Sequence, residues 1–138
     1  MMDIRRVDDN FAVAPQFRPE DMAALAAEGF QAIICNRPDG EEDGQPTTAA
    51  MREAAQQAGL AFHHLPTSSG EFPGTLVAAF RAVRWGTDGP VLAYCRTGTR
   101  SITLEMLANP NARDVSERLK LAQDAGYDLT ALQDRLGQ

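Results

Sequence analysis

Val91-Leu92-Ala93-Tyr94-Cys95-Arg96-Thr97-Gly98-Thr99-Arg100-Ser101 passes from four apolar residues through a polar, glycine-containing loop into a helical pattern. Strand, loop and helix in that order form a βα unit with a chemical use. The backbone N–H groups of the loop and of the first helical turn have no internal partners, so they converge on a common centre. Together with the helix dipole they favour negative charge there, and a cysteine at the mouth of the loop is stabilised as its thiolate. Gly98 lets the backbone curl without a Cβ in the way. Arg96 and Arg100 bring cationic donors, and Thr97, Gly98, Thr99 and Ser101 complete a cradle for an anion. Cys95 is the predicted nucleophile and Arg100 its charged partner.

Outward from this unit, strands and helices alternate. Residues 11–14 read as a short strand closed by Pro15. Arg18-Pro19-Glu20-Asp21 opens a helix that runs to about Glu28 and stops at Gly29. Residues 30–35 form an apolar run of strand length, broken by Asn36-Arg37-Pro38-Asp39-Gly40. A helix starts at Thr47 or Thr48 and ends at Gly59, and residues 60–65 read as a further strand closed by Pro66. In the next helix, 74–85, Leu76, Phe80 and Val83 share one face. Residues 91–94 are the last strand, and beyond Pro110 only helical signals follow, over 115–125 and 129–136. This order predicts a single α/β domain over 1–138, with a mainly parallel sheet flanked by helices.

Composition narrows the partners. The chain has 138 residues and 43% hydrophobic residues, enough for one buried core. A net charge of −6, with no basic stripe, argues against nucleic acid. No apolar run reaches membrane-spanning length and the first residues are polar, which predicts a cytoplasmic protein without a membrane partner. Two widely spaced cysteines, Cys35 and Cys95, read as free thiols. With only His63 and His64 to add, the ligand supply for a metal is poor, and neither a metal nor an organic cofactor is expected.

The Cys95 to Arg100 stretch resembles the C-R-x-G-x-R loop of rhodanese-type sulfurtransferases and, less closely, the C-x5-R loop of cysteine-dependent phosphatases. Arg100 comes one position too early for a phosphatase, Ser101 stands where that family has its arginine, and Tyr94 replaces its histidine. A shorter loop makes a tighter ring of N–H donors, better suited to the outer sulfur of a persulfide than to three phosphoryl oxygens. The helical tail instead resembles the small dual-specificity phosphatase fold. Over nearly the whole chain, Ile34-Cys35-Asn36-Arg37-Pro38-Asp39-Gly40-Glu41, Gly44-Gln45-Pro46, the Cys95 loop and Ala125-Gly126-Tyr127-Asp128-Leu129 resemble the bacterial DUF442 group, the beta-lactamase-hydrolase-like proteins. That resemblance implies a phosphatase-like fold, a candidate sulfurtransferase activity and a persulfide dioxygenase-type partner.

Loop spacing favours sulfur transfer through a Cys95 persulfide, with a small anionic sulfur compound as substrate. A phosphatase acting through phosphocysteine on a phosphate substrate is the alternative, and a non-catalytic anion-binding or thiol-sensing module is a second one. The supporting residues are more ambiguous. Asp39 is the general-acid candidate, although its Pro38-Asp39-Gly40 turn explains an aspartate without catalysis. Glu71 reads better as a helix-entry acid. Arg37 is a candidate for the anion pocket. Cys35 is a candidate redox partner of Cys95, if both sulfurs reach the carboxyl edge of the sheet.

Overall fold

A computed structural model describes residues 2–68 and 70–137. At its centre β5 (Val91–Tyr94) runs parallel to β2 (Phe11–Ala14) on one side and β3 (Ala32–Cys35) on the other. Parallel β4 (Ala61–His64) adds beyond β3, and antiparallel β1 (Arg5–Asp8) adds beyond β2. The order is β1-β2-β5-β3-β4. The three central strands carry no charge and are buried throughout, as strands covered on both faces must be.

Period-two alternation divides their side chains between two cores. Val13, Ile34 and Ala93 face one side, where α3 (Gly74–Gly86), α4 (Thr99–Ala108), α5 (Val115–Asp124) and α6 (Gln133–Leu136) pack. Ala12, Ile33, Cys35, Leu92 and Tyr94 face the other, covered by α1 (Met22–Ala27) and α2 (Thr48–Gln57). Phe80 is the fully buried anchor of α3 and meets Phe11 edge-on at 6.0 Å; burying such a ring contributes about 1.5–3 kcal/mol. The fold is thus the predicted single-domain α/β arrangement.

Two features fix α4, the helix behind Cys95. Eight of its residues, including Ile102, Leu104 and Met106, are buried. Glu105 also accepts two bonds from Arg84 of α3, at 2.8 and 3.0 Å, in a buried pair. Losing either partner would strand the other's charge, a cost of about 3–5 kcal/mol.

The differences from expectation are local. The edge strand β1 was not predicted: Val7 is its one buried residue, and Arg5 and Arg6 are exposed. The strands predicted over 30–35 and 60–65 are four residues long, because Phe30 and Leu60 enter the core from turns instead. The helix predicted from Arg18 begins as a 3-10 turn, Pro19–Asp21. His63 and His64 both lie half-buried on the edge strand β4.

Candidate active site

The site grows from the end of β5. Cys95 follows Tyr94 directly, is 1% exposed, and accepts the Gly98 N–H on its sulfur at 3.1 Å. Gly98 caps α4 with φ +96°, the left-handed conformation its lack of a Cβ permits. Thr97 and Thr99 hold their hydroxyls 3.1 Å apart at the rim. Arg96 is exposed and its side chain passes 3.8 Å from Glu42.

Arg100 sits in the first turn of α4 and is held by three bonds. Nη1 donates to Glu41 Oε2 at 2.8 Å and to the Thr67 carbonyl at 2.7 Å, and Nη2 donates to Glu41 Oε1 at 2.9 Å. A guanidinium has five N–H donors in one plane. Among the described residues Nε–H and one Nη2–H have no hydrogen-bond acceptor; they share an edge, which suits two oxygens of a tetrahedral anion. Arg100 is held above the ordinary arginine range, first by Glu41, with Cys95 adding its charge. The guanidinium therefore senses the sulfur although it comes one position early in the sequence. The residue at the phosphatase position, Ser101, turns away and donates to Asn36 Oδ1 at 2.9 Å. It ties α4 to the end of β3 and does not line the cradle.

Sequence reasoning gave Glu41 no role, yet it organises the arginines. Besides Arg100 it accepts from Arg37 Nε at 2.8 Å, and these partners, Arg100 foremost, lower its carboxyl to about 2. The signal was present in the sequence only as an acid four residues after Arg37. Nothing along the chain announces a partner 59 residues away.

Three other expected site residues take structural places. Arg37 is fully buried and bonds Glu41, Gln16 and Glu42, so it braces Glu41 and is not a pocket lining. Asp39 Oδ1 accepts from both the N–H and the hydroxyl of Thr48 at the start of α2, at 2.7 and 2.8 Å. Those bonds lower its carboxyl; it is a helix-terminus acceptor, unsuited to giving up a proton near neutrality. Cys35 pairs in register with Tyr94 and shares its core, the one covered by α1 and α2. Its thiol donates to the Arg37 carbonyl at 3.4 Å, and burial pushes it up. Its partners lie with Tyr94, Thr48 and Arg37, not with Cys95. Tyr94 itself packs on Phe17 at 4.7 Å, away from the cradle.

A cavity of about 370 Å³ opens beside the cradle. Arg96, Thr97, Thr99 and Arg100 form its polar end, while Phe72, Leu129 and Leu132 form an apolar wall. Asp128 supplies its carboxylate, and Thr130 bonds to that carboxylate and lowers it. The tail read only as helical thus contributes a wall of the site.

Residues 3–112 match the family described as the phosphatase-like domain of beta-lactamase hydrolase-like protein. The beta-lactamase hydrolase-like protein of Agrobacterium fabrum is 37% identical over 102 residues, 74% of this chain and 24% of that protein. The chain thus spans about a quarter of the length of that curated relative. Among solved structures, a candidate phosphatase from Neisseria meningitidis superimposes with a TM-score of 0.84 at 37% identity, covering 96% of this chain and 95% of that one. A kinase-associated phosphatase whose catalytic-site cysteine is replaced by serine shares the fold, with a TM-score of 0.72 at 17% identity over 98% of this chain and 92% of that one. The family description and the Neisseria likeness favour the phosphatase alternative over the sulfur transfer that loop spacing favoured.

Proposed function

The chain belongs to the family of phosphatase-like domains of beta-lactamase hydrolase-like proteins, and from that premise we propose that it is a cysteine-dependent phosphatase. The observation that carries this is the edge of Arg100 that no described acceptor occupies, held by Glu41 and interacting with a sulfur that already accepts a loop N–H. A phosphate monoester seated in the loop presents its oxygens to that edge and to the N–H groups of the loop, which stabilise the charge of the transition state. The Cys95 thiolate attacks phosphorus, the bond to the ester oxygen breaks, and the alkoxide or phenoxide leaves with the bonding electrons and takes a proton from water. Water then attacks the phosphocysteine, releasing inorganic phosphate and regenerating the thiolate.

Proton supply shapes the choice of substrate. Glu41 and Asp39 are both held ionised by their partners, and Asp128, the carboxylate that lines the cavity, is held so by Thr130. A leaving oxygen that needs little protonation is therefore favoured, which selects phenol-like esters over alkyl ones. The apolar wall of Phe72, Leu129 and Leu132 suits the same groups. The test is turnover of a series of aryl phosphates of graded phenol acidity. A rate that rises steeply with acidity and is abolished by vanadate is expected; no rate above background, or a flat series, defeats the reading.

A further inference from the structure

The peptide joining Thr97 to Gly98 is gripped on both sides. Its N–H donates to Cys95 Sγ at 3.1 Å, and its carbonyl accepts from the Tyr127 hydroxyl at 2.9 Å. A trans peptide is planar, with its N–H and C=O pointing in opposite directions. Holding the carbonyl outward therefore holds the N–H inward on the sulfur. The glycine cannot do this by itself, because its backbone tolerates either orientation of the preceding peptide. A Cβ at Gly98 would run into the Tyr127 hydroxyl, so the phenol occupies the space the missing side chain leaves.

Tyr127 is itself seated by the opposite end of the chain. The Arg5 guanidinium of β1 lies 5.9 Å from its ring centroid, and Arg5 Nη1 donates to the Ala125 carbonyl at 3.1 Å. The Tyr127 N–H bonds to Ala122 at the end of α5, at 2.8 Å. Hydroxyl, ring and backbone are each fixed by a different element.

We infer that Tyr127 is a positioning residue for the Cys95 loop: its hydroxyl locks the Thr97–Gly98 peptide in the orientation that turns an N–H onto the sulfur. The inference rests on Cys95 as nucleophile, as in the phosphatase reading, and adds a residue from the helical tail. Among the described residues, Arg100 of α4 and the Tyr127 phenol each interact with the sulfur. Burial holds that phenol above its ordinary range, so it stays neutral and acts through its hydrogen bond.

The experiment compares Cys95 alkylation by iodoacetamide, read by mass spectrometry, in the wild type and in Tyr127→Phe. Only the thiolate reacts, so losing the N–H slows alkylation below the alkaline plateau of its pH profile and leaves the plateau unchanged. A roughly fivefold fall in the ratio of the rate below the plateau to the rate on it is expected, the effect of about one hydrogen bond. Aryl phosphatase kcat should fall in parallel with KM unchanged. Equal alkylation ratios in the two proteins overturn the inference, even if the variant melts earlier. A wild type that alkylates normally but turns over no phosphate ester defeats the phosphatase reading alone, and the alkylation comparison still decides the role of Tyr127. Should Tyr127→Phe fail to fold, Arg5→Gln carries the test, with about twofold slowing expected and no slowing overturning it.

Discussion

Strands β3 and β5 lie side by side, and each runs into a cysteine followed closely by an arginine, Cys35-Asn36-Arg37 and Cys95-Arg96. Their fates are opposite. The Cys35 sulfur donates a hydrogen bond to a carbonyl, while the Cys95 sulfur accepts one from an amide. A sulfur that donates is spent on its acceptor; a sulfur that accepts faces a donor able to stabilise negative charge. The arginines divide in the same way. Each nitrogen of Arg37 donates once, to Glu41, Gln16 or Glu42, in a fully buried side chain, whereas among the described residues Arg100 leaves its Nε without an acceptor. The lesson is that a motif becomes a site when its hydrogen-bonding capacity is left unspent.

The contrast breaks first at the cysteines. Cys95→Ser should lower aryl phosphatase kcat/KM by about four orders of magnitude or more, while Cys35→Ser should stay within about threefold of the wild type. A comparable loss from both would mean that the β3 cysteine takes part in the chemistry.

Next in size is Glu41, which links the two loops. Glu41→Gln should lower kcat about tenfold, because an unbraced guanidinium no longer presents its free edge. The same variant reads a pH effect. Glu41 is depressed in the fold, to about 2 from an ordinary 4.5. The stability it adds is therefore fully present above pH 4.5 and disappears as pH falls through about 2. Thermal melts should show the wild type ahead of Glu41→Gln near neutrality and level with it in strong acid. A constant gap across that range would rule out the ion pairs as its source.

Smallest is the effect at the β3 turn. Asp39→Ala removes an acceptor at the start of α2 and should cost about 1 kcal/mol in chemical denaturation, with kcat inside twofold. A large fall in kcat at unchanged stability would return Asp39 to the role of general acid.

The strand, loop and helix around Cys95 were legible because their signals are local: an apolar run, a glycine, a helical pattern. Buried faces such as that of Phe80 were legible for the same reason. β1 was not, since an edge strand with one buried residue shows no alternation. Counting positions from Cys95 to Arg100 favoured sulfur transfer, whereas the family and its solved relative favour the phosphatase alternative; a count along the chain does not say where a long side chain braced by Glu41 holds its guanidinium. Glu41 and Tyr127 were invisible as site residues for a common reason. Each acts on the loop across a distance in sequence, 59 residues for Glu41 to Arg100 and 30 for Tyr127 to Thr97, and periodicity carries no such information.

The seat of Tyr127 has a bearing on where this unit can be cut. The family match ends at residue 112, so a fragment trimmed to it would retain Cys95, Arg100 and Glu41 and still be recognised. It would lack the phenol that faces Gly98, and Arg5 would be left with no ring to cover. The smallest piece that can be identified is shorter than the smallest piece that can be moved, intact, into another polypeptide.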